Sequence, residues 1–236
     1  MRKIKKFLLP AAAVLMILAA GIMLSPALTA PKMPPAELAA VAVDNLLSAE
    51  SLTFSTESKL LLNNEITPLG KLNGEICGEN YHVQGEVLGS RVNIYQLGQR
   101  TLRQDSLTEQ WLDLADGELL TNQSLLGDLD PRTVFHLTAI LDATAADTEE
   151  IDGEKCFKLG FTPQTADGYY EKYFDDLACT LWINAQNQIR RAEICANAHA
   201  GSQSSTLTLT CDFTDYNATP EITPPIVAPN QQQPAA

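Results

Sequence analysis

The chain is poor in positive charge. Only 16 of its 236 residues are Lys or Arg, against 29 Asp and Glu, for a formal charge of −13. Four of the basic residues (Arg2, Lys3, Lys5 and Lys6) stand at the very start, so the remainder sets 12 bases against 29 acids. Arg190-Arg191 is the only adjacent basic pair in that remainder. A surface this acidic repels phosphate backbones, which excludes nucleic acid as a partner.

Metal ligands and nucleophile motifs are equally scarce. The three histidines (His82, His136, His199) have no Cys, Asp or Glu beside them at ligand spacing, and no two cysteines stand as CxxC. A metal site is therefore not expected. Asp147, Glu149 and Asp152 do not follow a calcium-loop spacing. There is no GxSxG elbow and no SxxK, so no serine comes with a positioned base. The paired carboxylates Glu149-Glu150 and Asp175-Asp176 fall in stretches that read as polar loops, where such neighbours are solvated surface. These absences predict neither an enzyme nor a cofactor.

Five cysteines are present: Cys77, Cys156, Cys179, Cys195 and Cys211. An odd count leaves at least one thiol outside any intramolecular bridge. Spacing does not choose a pairing. Cys211 alternates onto one face with Leu207, Leu209 and Phe213, so it reads as a buried thiol.

The N-terminus opens on MRKIKK and continues as the uncharged run Phe7 to Leu24. A basic flank before an apolar run of this length predicts an export signal with the following domain outside the plasma membrane. The run is long for a signal core and just long enough to span. Residues 1–30 are read as an uncleaved transmembrane anchor. Cleavage after Ala27 is the alternative, since Ser25 and Ala27 are small at the right spacing, and it would leave a secreted protein. No cysteine follows the run, which closes the lipid-anchored route. Residues 31–35 form a stiff Pro-containing linker, residues 36–222 one domain, and residues 223–236 a disordered Pro- and Gln-rich tail.

The most regular stretch runs from Thr180 to Tyr216. Leu181 and Ile183 alternate with Thr180 and Trp182, and Leu207, Leu209, Cys211 and Phe213 with Thr206, Thr208, Thr210 and Asp212. Period-two alternation puts successive side chains on opposite faces of a sheet. Short turns at Ala185-Gln186-Asn187 and Gly201-Ser202 make this an antiparallel meander. Earlier strands are expected at Ser51–Leu62, Leu69–Cys77, Tyr81–Val87, Arg91–Leu97, Gln99–Gln104, Gln110–Leu114 and Lys155–Thr162, punctuated by Asn63-Asn64, Gly78, Gly89-Ser90 and Gly98. Two helices are expected. The first covers about 15 residues from Pro34-Pro35, with Ala36, Ala39, Ala40, Val43, Leu46 and Leu47 as its apolar stripe. The second starts at the Asp130-Pro131 cap and runs to about Leu141, followed by an acidic loop over Thr144–Glu150. Asp167–Leu177 reads as a short helix or an ordered loop.

That last segment holds Tyr169, Tyr170, Tyr173 and Phe174, the densest aromatic cluster of the chain. Such a cluster either caps the core or forms a lid over a cavity mouth. Phe157 and Phe161 share one face of their strand. Trp182 lies opposite Leu181 and Ile183, and parity does not say which face is covered.

The order of these pieces resembles the lipoprotein-carrier superfamily (LolA/LolB-like) and its relatives, the LppX/LprG lipid carriers and RseB-type sensor domains. The resemblance covers about residues 36–222. It rests on a helix ending in AVDNLLSAESLTFSTES, a run of short strands and the Asp130-Pro131 start. IDGEKCFKLGF follows, then the LWINAQNQIRRAEI hairpin and a closing Phe213-Thr214-Asp215-Tyr216-Asn217 with Pro220-Glu221-Ile222. It implies an α+β, mostly β fold: a curved antiparallel sheet, or incomplete barrel, with helices across its open concave side. It also implies an apolar concave face that holds acyl chains. The expected function is a membrane-tethered extracytoplasmic module that binds a lipid or an acylated protein. Tyr169, Tyr173, Phe174, Trp182, Phe157 and Phe161 are its candidate ligand contacts. The alternative is an envelope-sensing or protein-interaction domain of the same fold without a lipid. The chain departs from the family in lacking a lipobox cysteine, and a tethered protein does not shuttle between membranes.

Overall fold

The computed structural model describes residues 33–114, 130–165, 174–200 and 203–226. The apolar run at the N-terminus, read above as an anchor, lies outside them. The chain divides into two compact units, Met1–Ala30 and Pro31–Ala236. The described core lies wholly inside the second, which therefore carries its own hydrophobic interior.

The first element is α1 (Pro35–Leu47). Alanines favour the helix, Pro35 supplies a preset first φ, and Glu37 faces the positive end of the helix dipole. Its buried residues are Leu38, Ala39, Ala42, Val43 and Leu46. Ala36 and Ala40, placed on the buried stripe by spacing, are exposed instead. The stripe is rotated because Leu38 offers more apolar area than either alanine, and Ala39 and Ala42 let the helix approach its neighbours closely.

Eleven strands then make one open antiparallel sheet: β1 (Ser51–Leu62), β2 (Glu65–Cys77), β3 (Asn80–Val87), β4 (Ser90–Leu97), β5 (Arg100–Gln104), β6 (Trp111–Leu114), β7 (Leu137–Ile151), β8 (Glu154–Thr165), β9 (Asp176–Ile183), β10 (Ile189–Ala200) and β11 (Gln203–Thr214). Their spatial order is β6-β5-β4-β3-β2-β1-β11-β10-β9-β8-β7. The sheet edges are β6, the last strand of the first meander, and β7, the first strand of the second, and β1 joins β11 in the middle. The fold is mostly β and the sheet is open and curved, as expected.

The region after Asp130 differs from expectation. Asp130 does cap, accepting from the Arg132 backbone N–H at 3.0 Å, but only the 3-10 turn η1 (Pro131–Phe135) follows. From Leu137 the chain is strand, and the supposed acidic loop is its second half. Among the described residues the sheet is therefore covered by one α-helix and one 3-10 turn. Strand β7 has three register shifts against β8, its exposed residues include Asp142, Asp147, Glu149 and Glu150, and among the described residues no strand pairs with its other side. Bulges and charges of this kind protect an edge from further pairing.

The closing segment seals one end. Tyr216 donates its hydroxyl to the Ile189 carbonyl at 2.8 Å, and burial pushes that phenol up. The Glu50 N–H donates to Asn217 Oδ1 at 2.8 Å, and the Asn217 N–H to the Ser51 carbonyl at 2.7 Å. Strand alternation assigns the strand ends to two rims. The near rim holds the α1–β1 junction, the turns at 78–79, 98–99, 152–153 and 185–187, and this closing segment. The far rim holds the turns at 63–64, 88–89 and 105–110, the ends of β8 and β10, and the starts of β7, β9 and β11.

Candidate functional site

The face of the sheet under α1 and η1 is apolar in successive rows. One row runs Thr56, Cys211, Ala192, Leu181, Leu159 across five strands, and every member is buried. One step toward the far rim comes Ser58, Leu209, Ile194, Cys179, Phe161; here Ser58 and Leu209 are only half buried. The next row is Leu60, Leu207, Ala196, Leu177, and only Ala196 remains fully buried. Cover thus fades toward the far rim while the apolar character continues. Where η1 meets this region there is a slot lined by Val134, Phe135, Leu137, Pro163, Leu177 and Ile194, with a volume of about 10 Å³. That is roughly the room of one water.

The candidate ligand contacts separate on this frame. Phe161 is buried on the covered face, and Phe157 packs half-buried against the same core. Trp182 is on the other face, in a separate small cluster with Ile151 and Cys156. Its indole Nε1 donates to Glu149 Oε2 at 2.8 Å, and the Lys158 ammonium sits 4.9 Å from its ring centre while bonding Glu149 Oε1 at 2.7 Å. These contacts, Lys158 first and Trp182 second, hold the Glu149 carboxyl below its ordinary range. The structure therefore does not bring Trp182 together with Phe157 and Phe161. Phe174 is half buried at the far rim, where β9 begins. Tyr169 and Tyr173 lie outside the described residues. The aliphatic members of the fading rows, Leu60, Leu177, Leu207 and Leu209, were not singled out by aromatic density. The alternation of β11 carried that signal for Leu207 and Leu209.

Among the described residues no group of three or more His, Cys, Asp or Glu gathers as a metal site. Cys77, Cys156, Cys179 and Cys195 are free thiols. Burial pushes the Cys156 thiol up to about 11 and the Cys179 thiol higher still. At pH 8 a thiol of that pKa is about one part in a thousand thiolate, and the thiolate is the nucleophile. Iodoacetamide at pH 8 is expected to modify half-exposed Cys77 in the native domain and to spare Cys156 and Cys179, with all three modified in denaturant. Peptide mass mapping checks this order.

The open, curved antiparallel sheet has a fold shared with solved lipoprotein structures. It is similar to the crystal structure of the lipoprotein LppX of Mycobacterium tuberculosis, with a TM-score of 0.54 at 14% identity over 79% of this chain and 96% of that one. LprF from Mycobacterium bovis gives a TM-score of 0.50 at 14% identity, over 83% of this chain and 96% of LprF. A LolA superfamily protein from Nitrosomonas europaea matches with a TM-score of 0.31 at 16% identity, over 75% and 90% of the two chains. No family model and no curated protein matches the sequence. At these identities the likeness defines the fold. Among the described residues no helix is long and apolar enough to cross a membrane.

Proposed function

We propose that this chain is an extracytoplasmic binding module for an apolar chain, a lipid or the acyl group of a lipoprotein, held on the covered face of the sheet. The observation that supports this most directly is the gradient of cover. Leu60, Leu177, Leu207 and Leu209 extend the apolar face beyond the part that α1 seals. An apolar surface left half covered gains by covering it further, at about 25 cal/mol per Å². Phe161 stands in the row of Leu209 and Phe174 at the start of β9, and these are proposed contacts together with Phe157, Tyr169 and Tyr173. The slot under η1 holds about 10 Å³, so an apolar chain entering at that point displaces η1 from the sheet. The anchor reading of residues 1–30 would place the module at one membrane.

The exposed leucines of the rim, Leu61, Leu62, Leu88 and Leu107, favour a second reading, a protein-interaction domain of the same fold with no lipid. Native mass spectrometry of the exported protein, followed by organic extraction, separates the two. A bound mass in the lipid range is the expected result. A clean apo mass that does not shift when phospholipid is offered would support the second reading instead.

A further inference from the structure

The exposed large hydrophobic residues are not scattered. Seven are found among the described residues, and five of them, Leu61, Leu62, Ile66, Leu88 and Leu107, stand at the far rim in three successive hairpin turns. Of the other two, Leu141 lies four residues along β7 from the same rim and Ile226 lies in the C-terminal tail. The near-rim turns, Gly78-Glu79, Gly98-Gln99, Asp152-Gly153 and Ala185-Gln186-Asn187, present no large apolar side chain.

We propose that the far rim is a docking surface for a neutral phospholipid bilayer, entered by the tips of the β1–β2, β3–β4 and β5–β6 turns. This does not depend on whether the covered face holds a ligand.

Leu88 is the most telling residue. It occupies the first position of the two-residue β3–β4 turn with φ 49°, followed by Gly89 with φ 77°. Asn, Asp or Gly fills such a position at little cost, and a leucine there is strained. It is nevertheless 73% exposed, so packing within the domain does not repay the strain. Strain of this kind persists at sites that serve something other than the fold. Leu107 is 92% exposed on a turn that is firmly held. Asp105 accepts from the backbone N–H groups of Leu107 at 3.1 Å and of Thr108 at 2.8 Å, and the Glu109 N–H donates to the Asp105 carbonyl at 2.9 Å. The leucine is presented on an ordered support.

A bilayer fits this arrangement better than a protein surface. Successive far-rim turns are two strands apart, about 10 Å, and single leucines at that spacing do not fill one pocket. At the β1–β2 tip, Leu61 and its cross-strand partner Ile66 share one face while Leu62 takes the other. Apolar groups on both faces of a tip suit insertion into a fluid layer, whereas a docked protein covers one face. The hairpin backbone is already satisfied, with Leu62 paired to Glu65 and the Leu88 N–H donating to the Leu69 carbonyl at 2.7 Å, so insertion exposes no orphan donors there. Glu65, Asp105 and Glu109 stand beside the leucines. They limit entry to the headgroup boundary and disfavour an anionic leaflet.

The test is flotation of residues 31–236, the unit with its own core, with phosphatidylcholine vesicles. The unsubstituted domain is expected to float. Leu88→Asn and Leu107→Ser are each expected to lower the partition coefficient about tenfold, the consequence of losing one buried leucine side chain. Leu88→Asn is also expected to melt no lower than the parent, since Asn suits the turn, which separates lost docking from lost folding. Failure of the parent domain to float, unchanged partition in both variants, or binding confined to phosphatidylglycerol vesicles would overturn the proposal.

Discussion

Gly85→Ala is expected to cost at least about 3 kcal/mol of stability, enough to lower the melting temperature by roughly 10 °C in a domain of this size. Gly85 sits in the middle of β3 with φ 152°, paired to Leu72 on one side and Val92 on the other. A methyl group added there would overlap the Lys71 carbonyl oxygen and come within 2.9 Å of the Leu72 Cα. Both obstacles are backbone of β2, so no rotamer change relieves them. The alternatives are to separate β2 from β3 or to force an alanine into a conformation that L residues rarely adopt. Either would loosen the half of the sheet that carries β3 to β6. Thermal denaturation followed by circular dichroism measures the effect, and a melting temperature within about 2 °C of the parent would show that β2 and β3 are less closely joined than described.

Nothing in the alternation of Tyr81 to Val87 marked Gly85 as special. Its requirement comes from a neighbouring strand rather than from its own segment. The same distinction explains most of what was and was not legible. Strands flanked by two others show clean alternation, and the expected bounds of β3, β4 and β5 hold to within a residue. Strand β2 begins four residues earlier than expected. Asn63 and Asn64 both take positive φ, which makes a two-residue turn and starts the return strand at Glu65.

Strand β7 was misread for a physical reason. Its three register shifts interrupt the period of two, and its outer half is exposed enough to accept Asp147, Glu149 and Glu150. Val134, Leu137 and Ile140 then fall at a spacing that resembles a helix. An edge protected by bulges and charge loses the pattern by which strands are recognised. The site was legible in part. Parity placed Trp182 opposite Leu181 and Ile183, and the packing of Leu181 and Ile183 into the main core decides that Trp182 faces outward. Aromatic density pointed to the far rim through Phe174, but the leucines of that rim stand singly in turns, where no periodic test applies.

The second large effect is expected from Phe135→Ala. Phe135 is buried at the end of η1, packs edge-to-face on Phe213 with ring centres 6.2 Å apart, and lines the slot between η1 and the sheet. Removing a buried phenylalanine ring costs about 3–5 kcal/mol through lost transfer energy and the cavity left behind. The same cavity adjoins the existing slot of about 10 Å³ and opens it toward the half-covered row of Leu177 and Ala196. The variant therefore separates two uses of the covered face. If that face serves an apolar chain, Phe135→Ala melts lower when lipid-free yet gains more than the parent from added phospholipid, because a ligand bound only to the folded state stabilises it in proportion to RT ln(1 + [L]/Kd). A lipid-dependent rise in melting temperature larger in Phe135→Ala than in the parent is the expected result. Equal and negligible shifts in both proteins would mean that α1 and η1 close the interior for good, and the covered face would then be a core that holds a rim in place.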